Sequence, residues 1–117
     1  MLSSPQTVTY DSASVNLNRI NNDNYTSDYF GKAVDGTGIT LQVKHTIPVK
    51  GGDGESHLIR LDIDHLDSSG VFAKTVSAWL VMKTAGLPQD DSDVQLAVDA
   101  LLALVPTIDS SVIGRES

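Results

Sequence analysis

The side chains in this chain that could do chemistry are three histidines, a scatter of aspartates and a few basic residues on strand-prone segments. Asp62, Asp64 and His65 lie within four positions, with His57 on the same segment, a set that suggests a metal ion. Successive strand residues leave opposite faces, so Asp64 and His65 do not converge as a closed metal site requires. The segment reads as a solvated strand end, with no metal. Gly51-Gly52-Asp53-Gly54-Glu55 lacks EF-hand spacing, and no Gly-Lys-Ser/Thr follows it. It reads as a hairpin turn, as does Gly36-Thr37-Gly38. No serine stands in Gly-x-Ser-x-Gly with a His–Asp set, and without cysteine there is no thiol nucleophile, zinc knuckle or disulfide. So little of an active site is present that the chain reads as neither an enzyme nor a cofactor protein.

Lys44 and Arg60 are the sharper case. Taken plainly, they are two solvated strand charges, Arg60 within reach of Asp62. Taken functionally, they are phosphate contacts in a polar groove, with Thr40 and Thr46 hydrogen-bonding a splayed base. Trp79 fits either a core or interface anchor or a stacking platform for RNA. Its residue type favours the first and its strand register the second.

The formal charge is −7 over 117 residues, and it is uneven. Residues 1–50 hold four basic and four acidic side chains, whereas residues 51–117 hold four and eleven. A general nucleic-acid binder is basic, because counterion release drives its affinity. Any RNA contact here must therefore come from a local patch on one face. Met1 to Tyr10 has neither the basic start nor the apolar run of a signal peptide. The longest unbroken apolar run, Ala100 to Val105, is too short to span a bilayer. A soluble protein with no membrane partner is expected.

The elements that would position these residues are mostly strands. Thr7–Tyr10 and Ser14–Ile20 flank an Asp11-Ser12 turn, and Val15, Leu17 and Arg19 alternate with Asn16 and Asn18. Asn21–Asn24 reads as a loop, Tyr25–Val34 as a strand, and Asp35-Gly36-Thr37-Gly38 as a tight turn. In Ile39–Val49, Ile39, Leu41, Val43, Ile47 and Val49 share one face, interrupted by His45. Thr40, Gln42, Lys44 and Thr46 share the other. After the Gly51–Gly54 turn, Ser56–Leu66 sets Ile59, Leu61 and Ile63 against Leu58, Arg60, Asp62 and Asp64. A loop, Asp67–Gly70, leads to Val71–Thr84. There Val76, Ala78, Leu80 and Met82 oppose Thr75, Ser77, Trp79, Val81 and Lys83. Gly86-Leu87-Pro88 ends the sheet.

A helix follows, with Ser92 as N-cap, Gln95 completing a capping box, and Asp90, Asp91 and Asp93 at the positive end of its dipole. Val94, Ala97, Val98, Leu101, Leu102 and Val105 form its apolar stripe. Leu96, Ala100, Ala103 and Leu104 widen that stripe until little polar face remains. Pro106 is expected to stop the helix, and the tail with Ile108, Val112 and Ile113 could form a short second one. Strands first and one strong helix last predict an α+β domain over 1–117: a hairpin in 1–22, an antiparallel meander of about five strands within 25–84, and a helical segment over 91–113. A helix apolar nearly all round needs more cover than one sheet face supplies. Dimerisation, each helix packing on its partner's sheet, is the simple solution. With 40% hydrophobic residues the chain is near the low end for a globular domain, which suits burial against a partner.

This order resembles the coat proteins of levivirus-like single-stranded RNA bacteriophages. Ser92-Asp93-Val94-Gln95-Leu96-Ala97-Val98 is similar to that family's Ser-Asp-x-Glu-Leu junction into its first helix. Thr40-Leu41-Gln42-Val43-Lys44-His45-Thr46 is similar to its RNA-facing strand. The resemblance covers nearly the whole chain. It implies a homodimer with one continuous sheet, held by Val94, Leu96, Val98, Leu101, Leu102 and Val105. It implies a T=3-like icosahedral shell built from such dimers in the bacterial host cytoplasm and found as a virion, with a maturation protein as a further partner. It places Thr40, Gln42, Lys44, Thr46, Arg60, Ser77, Trp79 and Lys83 on the inner face, against genomic RNA and a packaged, translation-repressing hairpin. The loop around His65, Asp67, Ser68, Ser69, Gly70 and Phe72 would gather at the symmetry axes between dimers. Departures from the pattern are a short, proline-free loop, an acidic second half, and Asp62 and Asp64 on the RNA side. A small dimeric module for nucleic acid or peptide that never assembles is the competing reading.

Overall fold

Asp11 and Ser12 both adopt left-handed backbone, with φ of 50° and 65°. This is the type I′ pattern, whose twist matches a two-residue hairpin, and it joins β1 (Gln6–Tyr10) to β2 (Ala13–Asp23) with Tyr10 opposite Ala13. The computed structural model describes residues 2–23, 25–47, 54–84 and 90–115. Asn24, the Val49 end of the expected strand, Gly51–Asp53 of the expected turn and Gly86-Leu87-Pro88 lie outside the described residues. The strands β3 (Thr26–Lys32), β4 (Gly38–Thr46), β5 (Ser56–Leu66) and β6 (Phe72–Lys83) continue the sheet in chain order, and α1 (Asp90–Ile113) follows. The expected hairpin is thus part of one six-stranded antiparallel meander, because β2 pairs with both β1 and β3.

Asn21–Asp23 is strand, not the expected loop. A bulge between Arg19 and Asn21 shifts the register, and polar cross-strand bonds then do what apolar pairs do elsewhere. Asn21 Nδ2 donates to Asp28 Oδ2 at 3.2 Å, and Ser27 Oγ to Asn22 Oδ1 at 3.1 Å. Composition misled here because Asn21 and Asn22 find partners across the strands in the Asp28 carboxylate and the Ser27 hydroxyl.

The chain forms two compact units, one of Met1–Thr46 with Ser56–Val81 and one of Ile47–Glu55 with Met82–Ser117. In the first, Leu17, Tyr29 and Ile39 are fully buried, with Val15, Leu41 and Ile63 beside them. Cross-strand partners share a face. Tyr29 opposes Leu41, Leu41 opposes Leu61 and Ile39 opposes Ile63, so the core lies on one side of the sheet. Arg19 joins that side as its alternation suggests: its guanidinium stacks 5.5 Å over the Tyr29 ring and donates to the Leu2 carbonyl. Cover is incomplete, since Ile59 is 40% exposed and Val76 48%.

In the second unit α1 differs from expectation in three ways. It begins at Asp90, so Ser92 lies inside the first turn and is not the N-cap; the first-turn aspartates still meet the dipole's positive end. It also runs through Pro106 as one helix of 24 residues, with no break into two. The lost amide and ring clash cost about 3 kcal/mol, a penalty that the good helix formers on either side outweigh. Thr107 Oγ1 donates to the Leu104 carbonyl at 2.6 Å in that turn. The helix ends where Arg115 turns left-handed at φ 72°. Finally, Asp91–Ile113 is long enough to cross a membrane and holds an 18-residue window of mean hydropathy 1.7, apolar enough to do so by composition. Counting unbroken apolar runs hid this, because Asp99, Pro106-Thr107 and Asp109–Ser111 break the segment into runs that are each short. Among the described residues from Asp91 onward only Val94 and Val98 are even half-buried; Leu96 is 68% exposed and Leu102 55%.

Candidate nucleic-acid interface

The face opposite the core carries most of the residues proposed from sequence. Register places Asp28, Gln42 and Arg60 in one cross-strand row, and Thr26, Lys44 and Leu58 in the next. Phe30, Thr40 and Asp62 form a third row, and Thr46 faces Ser56. On β6, Ser77 reaches Asp62 and the Trp79 ring lies under the Arg60 guanidinium, 5.4 Å from its centroid. Trp79 is therefore on the polar face, 62% exposed. A guanidinium over an exposed indole leaves both planes open to a stacked base. Lys83 is the last residue of β6 and falls in the second unit.

The face is polar without being basic. Asp28 accepts from Asn21 and, at 3.1 Å, from Gln42 Nε2. Asp62 accepts from Arg60 Nε at 3.0 Å and from Ser77 Oγ, and Asp64 accepts from Thr75 Oγ1 at 2.7 Å. The Ser77 hydroxyl, and after it Arg60, hold the Asp62 carboxyl below the usual carboxylate range against the opposing effect of burial. Asp62 is therefore ionised at neutral pH and offsets Arg60. Gln42, Arg60 and Ser77 are each already engaged with a carboxylate, which orients them and fixes which atoms remain for a ligand. Sequence reasoning missed Asp28 and Thr75. The signal for Asp28 was available: in Asp28-Tyr29-Phe30, Tyr29 is a core side chain, which puts its two neighbours on the polar face.

The remaining proposed residues fall into two groups. Val94, Leu96, Val98, Leu101, Leu102 and Val105 all lie on α1. Of the proposed inter-dimer loop, Asp67, Ser68, Ser69 and Gly70 make the connection, while His65 and Phe72 are in β5 and β6. His65 stands beside Tyr10, ring centroids 6.5 Å apart. The connection is narrower than expected because Asp67 closes it: its Oδ1 accepts from the Ser69 and Val71 amides at 2.8 and 3.0 Å, and Gly70 supplies φ 80°. Among the described residues no group of three or more histidine, aspartate or glutamate side chains is placed to hold a metal ion.

A family model described as the coat protein of phage phiCb5 matches residues 3–85. No curated protein matches the chain. Among solved structures, a subunit of the virus-like particle of Beihai levi-like virus 21 is similar, with TM-score 0.76 and 14% identity over 93% of this chain and 94% of that one. The capsid protein of bacteriophage GA gives 0.61 at 11% identity over 92% and 88%. The virus-like particle of bacteriophage AVE019 gives 0.64 at 10% identity over 94% and 96%. At these identities the likeness is one of fold: an antiparallel sheet of six strands followed by a C-terminal helix.

Proposed function

The chain belongs to the phage phiCb5 coat protein family, and we propose that it is a shell subunit that dimerises, assembles into an icosahedral particle and holds single-stranded genomic RNA on the polar face of its sheet. The observation that carries this reading is the apolar surface of α1. A helix with Leu96, Leu101, Leu102, Leu104 and Val105 all at least 40% exposed presents far more oil than a stable monomer leaves in water. A second copy provides matching cover, since Ile59 and Val76 leave apolar sheet uncovered. The strand β6 offers a further contact: it is twelve residues long and ends the strand order, a free edge that natural proteins pair or protect. Particles of this kind place the protein in the virion. The T=3-like geometry, the loop at Asp67–Gly70 between dimers and a maturation protein as partner belong to the same reading, as does RNA held by Thr40, Gln42, Lys44, Thr46, Arg60, Ser77, Trp79 and Lys83. Interior chemistry of this sort suits unpaired bases stacked on Trp79 and Arg60 with phosphates at Lys44, and a hairpin loop presents such bases.

Purifying the expressed protein on a density gradient and extracting nucleic acid from the particle fraction tests the proposal. Particles with RNA are expected. Two variants should move binding of a short oligoribonucleotide in opposite directions. Lys44→Ala with Arg60→Ala removes two cationic groups from the face and should lower the salt slope for a single strand by about 1.4. Asp62→Asn releases Arg60 from its partner and should tighten binding by about 1 kcal/mol, roughly fivefold at low salt. RNA-free particles from the native chain, or equal affinity across all three proteins, would remove the RNA assignment.

A further inference from the structure

The two histidines at the end of the β4–β5 ladder are unused by the shell reading. His45 and His57 are direct cross-strand partners on the core side of the sheet, beyond the buried residues. Their rings meet nearly edge to face, centroids 5.0 Å apart at 73°, with Nδ1 facing Nδ1 at 2.8 Å. His45 is exposed and His57 half-buried, so an ion in solution has access to both. The His45 backbone is fixed from the other side, its amide donating to the Tyr25 carbonyl at 2.8 Å. Two neutral imidazoles so placed share one proton: one Nδ1 donates and the other accepts.

We propose that His45 and His57 form a two-nitrogen site for a divalent transition-metal ion that prefers right-angled coordination, copper(II) first and nickel(II) second. Imidazole nitrogen is the commonest protein ligand for such ions. Metal–nitrogen bonds of about 2.0 Å at a right angle separate the two nitrogens by about 2.8 Å, whereas a tetrahedral angle needs about 3.3 Å. The observed spacing fits the first arrangement and is short for the tetrahedral one that zinc adopts. The ion takes the place of the shared proton. Both Nδ1 atoms then bind metal, each ring keeps its proton on Nε2, and the donor ring's proton moves between its two nitrogens through solvent with no net release. Both rings must turn off the shared Nδ1–H···Nδ1 line before their lone pairs converge on one ion. Among the described residues no third histidine, aspartate or glutamate is grouped with the pair. Bound metal would clip the far end of the β4–β5 ladder within one subunit.

Calorimetric titration of the purified protein with copper(II), paired with its electron paramagnetic resonance spectrum, tests the assignment. One ion per chain with two nitrogen ligands is expected. His45→Gln and His57→Gln should each weaken binding at least tenfold, and His65→Gln should leave it unchanged. Because each glutamine stays polar at a partly exposed position, strand content should persist and is checked by circular dichroism. On the native chain, substoichiometric copper(II) should broaden the imidazole resonances of His45 and His57 before those of His65. Unchanged affinity in both single variants, a spectrum without nitrogen ligands, or equal broadening of all three histidines would overturn the proposal, whether or not particles form.

Discussion

A chain carrying Leu101→Asp with Leu102→Asp is expected to keep its strand content and form no particles. The two leucines are 42% and 55% exposed in the single chain. Replacing them costs an isolated subunit little beyond the lower helix propensity of aspartate, roughly 0.5 kcal/mol each. In an assembly that buries them the account changes. Each lost leucine forfeits about 1.5–3 kcal/mol of burial, and each new carboxylate must be desolvated besides. A combined loss of at least about 4 kcal/mol weakens subunit association roughly a thousandfold. Gradient sedimentation and circular dichroism read the two halves of this expectation separately. A variant that still forms particles would show that α1 is not the surface that holds copies together. A variant that unfolds would show that α1 is needed by its own chain.

The second large effect is expected at Gly31. A methyl group there would lie 2.3 Å from the Asn16 carbonyl oxygen and 2.8 Å from Leu17 Cδ2. The first obstacle is backbone within the β1–β2 hairpin, which cannot step aside without disturbing Leu17, a fully buried core residue. Gly31→Ala should therefore destabilise the fold by about 3 kcal/mol, a large share of the roughly 5–15 kcal/mol that holds such a domain together. Gly70 provides the contrast. Its added methyl would meet nothing within 4 Å, and only its φ of 80° opposes a side chain, so Gly70→Ala should cost about 1–2 kcal/mol. Urea denaturation of both variants tests the ranking, and a Gly31→Ala midpoint equal to that of the native chain would contradict it.

Alternation made much of this fold legible. Ile39, Leu41 and Val43 against Thr40, Gln42 and Lys44 fixed both the buried and the open face of β4, and Ile59–Asp64 did the same for β5. Seven of the eight interface positions proposed from those patterns lie on one face of the first unit because the period of two leaves no other choice once a core exists. The signal failed where polar side chains satisfy one another. Asn21–Asp23 looked like a loop, since composition does not record that Asn21 and Asn22 bond across to Asp28 and Ser27. Asp28, which organises Gln42, was missed although alternation about Tyr29 places it on the open face. Pro106 looked like a stop because the rule weighs one residue, whereas a helix is decided by the sum over its length. The His45–His57 contact could not be read at all, since it depends on the pairing register between β4 and β5.

The central claim is that one subunit leaves α1 and part of its sheet uncovered, so that copies must associate. Sedimentation velocity on the purified protein, freed of RNA and followed over a wide concentration range, tests this most directly. The account predicts dimers at the lowest concentrations measured and closed shells as concentration or added RNA rises. A monodisperse monomer throughout, with α1 protected from hydrogen exchange by its own chain, would contradict it.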